Sequence, residues 1–261
     1  MIVVKFGGHA MKDENGAFAK AIAAAQKSGV ELVVVHGGGP QIDAALTAAA
    51  ITSEFVGGFR VTTPETFEIV ERVLADEVGP AVAQSLQREG VNAVAMSGRT
   101  SGTLIAKPLK KLVDGTSADL GLVGVVTSVS SSSIKNAIAS GQVPVISPIA
   151  SNESTESGLN VNADLAAAAI AGALDAESLI IMTDVSGIYR SWPDKSSLIS
   201  EISYEELNSL KAGFAEGMAP KVQACLDAID GGARAVRIID GTDPSAFAAA
   251  LGNSGGTLVS K

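Results

Sequence analysis

The stretch Leu32-Val33-Val34-Val35-His36-Gly37-Gly38-Gly39-Pro40-Gln41-Ile42-Asp43 constrains the fold more tightly than any other. A β-branched run bounded by glycines reads as a fully buried strand, and Pro40 is preset for the first turn of a helix. Strand, glycine turn and helix therefore follow one another without an intervening loop. The glycines let the backbone approach a ligand with no Cβ in the way, and the helix start aims unpaired N–H groups at it. An anion is the natural occupant of such a turn. A tight crossover in an α/β sheet would use the same residues, and the stretch lacks both the Lys-Ser/Thr ending of a P-loop and the spacing of a dinucleotide fingerprint. Either reading stands on this stretch alone.

The N-terminus repeats the plan. Ile2–Phe6 reads as a buried strand ending in Gly7-Gly8, and residues 17–27 carry apolar positions at helical spacing before Gly29 stops them. In an open parallel sheet both glycine turns lie at the carboxyl ends of their strands, where ligands bind. After a short extended piece at residues 57–62, residues 64–88 read as one long helix capped by Thr63, with a kink at Gly79-Pro80. A strand follows at 92–96. Residues 97–120 read as an exposed excursion with room for a hairpin strand at 103–106, and 123–129, 131–140 and 143–147 as a further strand, helix and strand. Residues 151–158 read as a polar loop. The alanine-rich helix 165–173, the strand 179–183, a surface hairpin or loop around Trp192, and the helix 217–230 come next. A strand at 235–239, a helix at 244–251 and a closing strand at 257–259 complete the chain. This alternation predicts an α/β fold, a three-layer αβα sandwich whose mainly parallel, open central sheet is covered on both faces. The predicted organisation is two lobes, residues 1–172 and 173–261.

Composition narrows the function. A net charge of −9 disfavours nucleic acid, whose phosphates require clustered Lys and Arg. A single cysteine, Cys225, and two histidines leave little for a disulfide framework or zinc, so that any metal is expected to be a hard ion held by oxygen. No apolar run reaches the length of a membrane span, and the chain enters a strand at Ile2 with no room for a secretory signal. The expected location is cytoplasmic.

In an acidic chain the few cations become informative. Lys5 stands beside a glycine turn, where it either reaches into a site or lies along the surface. Lys221, near the start of its helix, has the same two readings. Arg60, after Gly57-Gly58, could clamp a carboxylate through its planar fork or sit in an ordinary loop. Asp164 could organise ligands or merely cap a helix, and Asn160 and Asn162 read as turn formers. His36 reads as a satisfied structural group, His9 as structural, Cys225 as core and Trp192 as a surface anchor.

Six stretches occur in order: Val4-Lys5-Phe6-Gly7-Gly8-His9-Ala10-Met11, Val35-His36-Gly37-Gly38-Gly39-Pro40-Gln41-Ile42, Gly58-Phe59-Arg60-Val61-Thr62, Asn160-Val161-Asn162-Ala163-Asp164, Thr183-Asp184-Val185-Ser186-Gly187-Ile188-Tyr189 and Gly217-Met218-Ala219-Pro220-Lys221-Val222. Together they resemble the amino-acid-kinase family along the whole chain. The resemblance implies ATP-dependent phosphorylation of the side-chain carboxylate of N-acetyl-L-glutamate in arginine biosynthesis, with Mg2+ accompanying the nucleotide. A relative that phosphorylates a carrier-linked aminoadipate, and a non-catalytic amino-acid sensor on the same fold, stand as alternatives.

By the same resemblance, Lys5 and Lys221 match lysines that stabilise the phosphoryl group in flight, and Asp164 the aspartate that orients them. Gly38, Gly39, Arg60 and Asn160 match positions that hold acetylglutamate, with Arg60 on its α-carboxylate. Gly7 and Gly8 match the turn beside the ATP phosphates, while Asp184, Gly187, Ile188, Tyr189 and the stretch 213–215 match the nucleotide pocket. The expected assembly is a homodimer formed through the N-terminal lobe, without the arginine feedback carried by an extra N-terminal helix in other members. The chemistry is consistent with that assignment: a carboxylate acceptor of pKa ~4.3 is already ionised at neutral pH, so no general base is needed. What phosphoryl transfer between two anions does need is charge neutralisation and in-line placement.

Overall fold

A computed structural model describes residues 1–7, 11, 16–214 and 217–261. The first half begins with β1 (Ile2–Phe6), α1 (Ala17–Lys27), β2 (Leu32–His36), α2 (Gly39–Ala48), the short pair β3 (Phe55–Val56) and β4 (Phe59–Arg60), and α3 (Pro64–Glu71). It continues through α4 (Gly79–Arg88), β5 (Ala93–Ser97), β6 (Leu104–Pro108), β7 (Val123–Val129), α5 (Ser132–Ala139), β8 (Val143–Ser147), β9 (Ile149–Asn152), β10 (Gly158–Val161) and α6 (Ala163–Ala173). The second half contains β11 (Ser178–Thr183), β12 (Ile188–Tyr189), β13 (Leu198–Ile199), β14 (Glu201–Ser203), α7 (Tyr204–Leu210), α8 (Ala219–Gly231), β15 (Ala235–Asp240), α9 (Pro244–Leu251) and β16 (Thr257–Ser260).

An eight-stranded sheet in the order β14-β16-β15-β11-β1-β2-β8-β5 forms the middle layer, and every neighbouring pair but β15–β16 is parallel. Alternation along the strands builds the outer layers. Val3, Val33, Leu179 and Val236 enter one apolar core with α6 and α8, while Val4, Val34, Ile180 and Ile239 enter the other with α1, α3, α4 and α9. The expected sandwich and its mainly parallel sheet are therefore present. β1, β2, β8 and β5 come from the first half of the chain and β11, β15, β16 and β14 from the second, and β1 and β11 join the two sets. No helix among the described residues is long and apolar enough to cross a membrane.

Two features depart from the sequence reading. β7 does not extend the main sheet beside β8; with β6, β9 and β10 it closes a small four-stranded barrel. β6 falls where a hairpin strand was expected at 103–106, within the excursion at 97–120, whereas part of the supposed loop at 151–158 is strand. Short strands whose partners lie far along the chain leave little periodic signal. The second difference is the helix kink. Pro80 has no N–H to give the carbonyl of Asp76 and its ring crowds that carbonyl, but the distortion appears upstream as a π-helical segment, Arg72–Val78, in which the Gly79 N–H reaches Leu74 O. That wider turn carries Leu74 against Gly38, where a Cβ would lie 2.5 Å from Leu74 Cδ2. Packing against Leu74 therefore favours glycine at position 38.

Candidate active site

Gly7 and Gly37, which follow β1 and β2, lie side by side at the carboxyl end of the sheet. Gly37 N–H donates to Phe6 O, and a Cβ on Gly37 would stand 3.4 Å from Gly7 Cα. Beyond them opens a cavity of about 260 Å3. Lys5, Gly38, Gly39, Arg60, Asn160, Asp164 and Lys221 all line it, so residues spread from the first strand to a late helix converge on one space. The first turns of α2, α6 and α8 supply Gly39, Asp164 and Lys221 to that lining. Helix starts carry partial positive charge, which suits an anionic ligand.

Asp164 is the hub. Its Oδ2 accepts from Lys221 Nζ at 2.9 Å, and its Oδ1 stands 3.1 Å from Lys5 Nζ as an ion pair without hydrogen-bond alignment among the described residues. Burial by itself would raise the pKa of Asp164, but the two ammonium groups outweigh it and hold the carboxyl well below the usual range. Asp164 in turn raises the pKa of Lys221, against the opposing effect of burial and with a further contribution from Asp184. Asn162 places Asp164 by capping α6: its Oδ1 accepts from the N–H groups of Asp164 at 2.9 Å and Leu165 at 3.3 Å.

Gly7 has a role that the turn alone did not reveal. A Cβ there would lie 2.6 Å from Lys5 Nζ and 2.8 Å from Lys5 Cε, so the lysine folds back over the space a side chain would fill. The clash is with the far end of a flexible chain, cheap for the fold and costly for the placement of its charge. Gly7→Ala is expected to lower turnover about tenfold or more, in keeping with the sensitivity of phosphoryl transfer to a displaced cation, while thermal unfolding moves little. A variant with unchanged turnover would show that the Lys5 position is unimportant.

Arg60 is buried on β4, with Nη1 donating to Asp43 Oδ1 at 2.6 Å and to Ser53 Oγ, and with the guanidinium over the Phe55 ring, 4.5 Å from its centroid. Asn160 is a strand residue of β10 rather than a turn former. Its Nδ2 donates to Thr62 Oγ1 at 3.1 Å, and Thr62 Oγ1 donates to Arg60 O at 2.8 Å. Because the hydroxyl's one proton is used on Arg60 O, it must accept from the Asn160 amide nitrogen, leaving the Asn160 oxygen as an acceptor beside the cavity.

His36 is fully buried behind the glycine turn and does not line the cavity. Its Nδ1 lies 2.7 Å from Gly37 O, but Nε2 has no partner among the described residues, so it is only half satisfied. Burial lowers its pKa from 6.5 to about 4, against a smaller opposing effect of the Gly37 bond. The unfolded chain takes up a proton here as pH falls below 6.5 and the folded chain does not until about 4, so folding loses stability across that window as pH falls. Between pH 7 and 5 the native protein is expected to lose roughly 2 kcal/mol more than His36→Gln does. Parallel denaturation profiles for the two would contradict this.

Among the described residues matched to the nucleotide, Gly7, Asp184, Gly187, Ile188 and Tyr189 lie outside the cavity lining. Asp184 follows β11 directly. Gly187 packs where a Cβ would meet Thr257 Oγ1 at 2.3 Å, and Ile188 is buried with its N–H donated to that same hydroxyl at 2.8 Å. Tyr189 stands edge-on to Trp192, with ring centroids 5.2 Å apart. Trp192 is exposed and lies in the β12–β13 hairpin, as expected, while Cys225 is buried with its thiol pKa raised by desolvation. Gly8, His9 and Ala215 lie outside the described residues. Asp43, Ser53, Thr62 and Leu74 were not anticipated. Of these, only Asp43 carried a signal, a carboxylate on the helix that follows the glycine turn.

The sequence model of the amino acid kinase family matches residues 1–240. A Bifidobacterium longum protein named acetylglutamate kinase is 46% identical over 247 residues, 93% of this chain and 81% of that protein. An Arthrobacter protein of the same name is 46% identical over 250 residues, again 93% of this chain and 81% of that one. Among solved structures, the Streptococcus mutans protein smu.665 superposes with a TM-score of 0.82 at 27% identity, covering 99% of this chain and 98% of its own.

Proposed function

The chain belongs to the amino acid kinase family, and on that footing we propose that it transfers the terminal phosphoryl group of ATP to the side-chain carboxylate of N-acetyl-L-glutamate, the acyl-phosphate-forming step of arginine biosynthesis. The observation that carries this reading is the meeting of Lys5 and Lys221 on Asp164, in a cavity that also holds Arg60 and Asn160. Arg60 receives the α-carboxylate, and the Asn160 oxygen is available to an N–H of the acetylated amine. A carboxylate oxygen of the side chain attacks the terminal phosphorus, the bond to the bridging oxygen breaks, and ADP leaves. No proton moves, because the acceptor is ionised at neutral pH. The two ammonium groups and the helix-start N–H donors neutralise the charge that passes between the anions.

Residues 1–172 are proposed to hold acetylglutamate and 173–261 to hold ATP, a division supported by the way the sheet parts between β1 and β11. Gly7, Asp184, Gly187, Ile188 and Tyr189 are then the nucleotide's neighbours. No group of three or more His, Cys, Asp or Glu that could hold a metal occurs among the described residues, and both oxygens of Asp164 face lysines. Mg2+ is proposed to accompany ATP, where it would help neutralise the charge of the phosphates. The proposed working unit is a homodimer formed through the N-terminal half, an assignment supported by the family resemblance.

Coupled ADP release with acetylglutamate, glutamate and a carrier-linked aminoadipate tests the reading. Release that depends on acetylglutamate supports it. Turnover of the aminoadipate instead, or binding of acetylglutamate and ATP with no ADP formed, would replace it with one of the other members' roles or with a sensor.

A further inference from the structure

We infer that Asp43, with Ser53, is a positioning residue that turns the Arg60 guanidinium so that the substrate carboxylate is received along its Nε–Nη2 edge. A guanidinium can meet a carboxylate through either of two edges, Nη1–Nη2 or Nε–Nη2, and both are bidentate. In this structure Nη1 donates to Asp43 Oδ1 at 2.6 Å and to Ser53 Oγ, which uses both of its hydrogens and removes the first edge. Nε and Nη2 make no hydrogen bond to the described residues and are not among the sealed-off, unpartnered polar atoms, although Arg60 as a whole is buried and lines the cavity. The Phe55 ring beneath the guanidinium fixes its plane, and the two Nη1 contacts fix its rotation within that plane. Asp43 approaches from α2 and Ser53 from the segment before β3, so the edge presented to the ligand is set by groups outside the cavity lining.

The Nε–Nη2 edge presents parallel N–H donors. It fits a carboxylate, whose two oxygens both accept, and opposes a carboxamide, whose NH2 would face one of those donors. Held in this rotation by Asp43 and Ser53, the guanidinium cannot turn its second donor away from a carboxamide NH2, and Asp43 thereby becomes a specificity determinant for an acid at the α-position of the substrate. This inference rests on the proposed role of Arg60, and its test uses that dependence.

The experiment compares kcat/KM for N-acetylglutamate and for its α-carboxamide analogue, whose side-chain carboxylate is intact, in the native protein, Asp43→Ala, Asp43→Asn and Asp43→Ala/Ser53→Ala. Asp43 is half exposed and screened by solvent, so a moderate effect is expected for the single change. Asp43→Ala is expected to raise KM for acetylglutamate roughly fivefold to tenfold, with kcat and KM for ATP nearly unchanged, and to shrink the acid-over-amide preference by the same factor. Asp43→Asn keeps an acceptor for Nη1 and recovers part of the preference, while the double variant loses most of it. Equal losses on acid and amide would mark Asp43 as merely structural and overturn the inference, as would an undiminished preference in Asp43→Ala. A native protein that does not distinguish acid from amide overturns the role of Arg60 itself and the inference with it.

Discussion

Replacing Lys5 or Lys221 with alanine is expected to lower turnover at saturating substrates by about a hundredfold or more in each case, the usual consequence of removing one fixed donor from a site of developing charge. The expectation follows from where the charges stand. Both ammonium groups reach the same carboxylate, one from the first strand and one from the first turn of α8, and so they border the same small volume. A phosphoryl group crossing that volume has anionic donor and acceptor on its two sides, and among the described residues no other lysine lines the cavity. Stability should fall much less, because Asp164 keeps one of its two partners in either variant. Rapid-quench measurement of the chemical step, alongside thermal unfolding, separates the two effects. Turnover close to native in either alanine variant would remove that lysine from the reaction.

Asp164→Asn is expected to damage both activity and folding. Asparagine keeps the shape and one acceptor oxygen but leaves two ammonium groups facing each other across a neutral amide. Breaking a buried ion pair by removing one partner costs about 3–5 kcal/mol, and here one carboxylate serves two cations. Turnover should drop at least as far as in the lysine variants, because both cations lose their alignment. The pH dependence identifies the cause. The pKa of Asp164 is held down in the folded protein, so its contribution is fully present above the unfolded carboxyl range and is lost only as pH falls below it. The stability deficit of Asp164→Asn should therefore stay constant from neutral pH down to about 5, the interval over which His36 makes the native protein pH-sensitive. A deficit that varied strongly across that interval would mean that Asp164 is not held ionised by its lysines.

Much of this site could be read from short stretches. Val33, Val34 and Val35 run into Gly37, Gly38 and Gly39 with Pro40 behind them, and local backbone chemistry alone makes that a strand, a turn and a helix start. The convergence of Lys5, Arg60, Asn160, Asp164 and Lys221 came from motif resemblance, since nothing local to Lys5 says that residue 164 lies 3.1 Å away. Other features depended on distant partners. The packing that favours glycine at position 38 involves Leu74, delivered by a π-helical segment that Pro80 provokes from further along the helix. In the barrel holding Asn160, β6 and β7 fall where strands were expected, but β9 and β10 are too short to show a period and overlap the segment read as loop at 151–158. Asn162, read as a turn former, proved to be the cap of α6, and His36 proved only half satisfied. Gly187 and Ile188 were matched to the nucleotide by resemblance, yet each also packs on Thr257, a contact across the fold that no local pattern announces.

The most direct test is to incubate the native protein with MgATP, N-acetyl-L-glutamate and hydroxylamine, which traps an acyl phosphate as its hydroxamate. The expected result is hydroxamate formed in step with ADP, at the side-chain carboxyl, and nearly abolished in Lys5→Ala and Lys221→Ala. ADP without hydroxamate, or hydroxamate at native rates when either ammonium is gone, would contradict phosphoryl transfer to a carboxylate between these two cations.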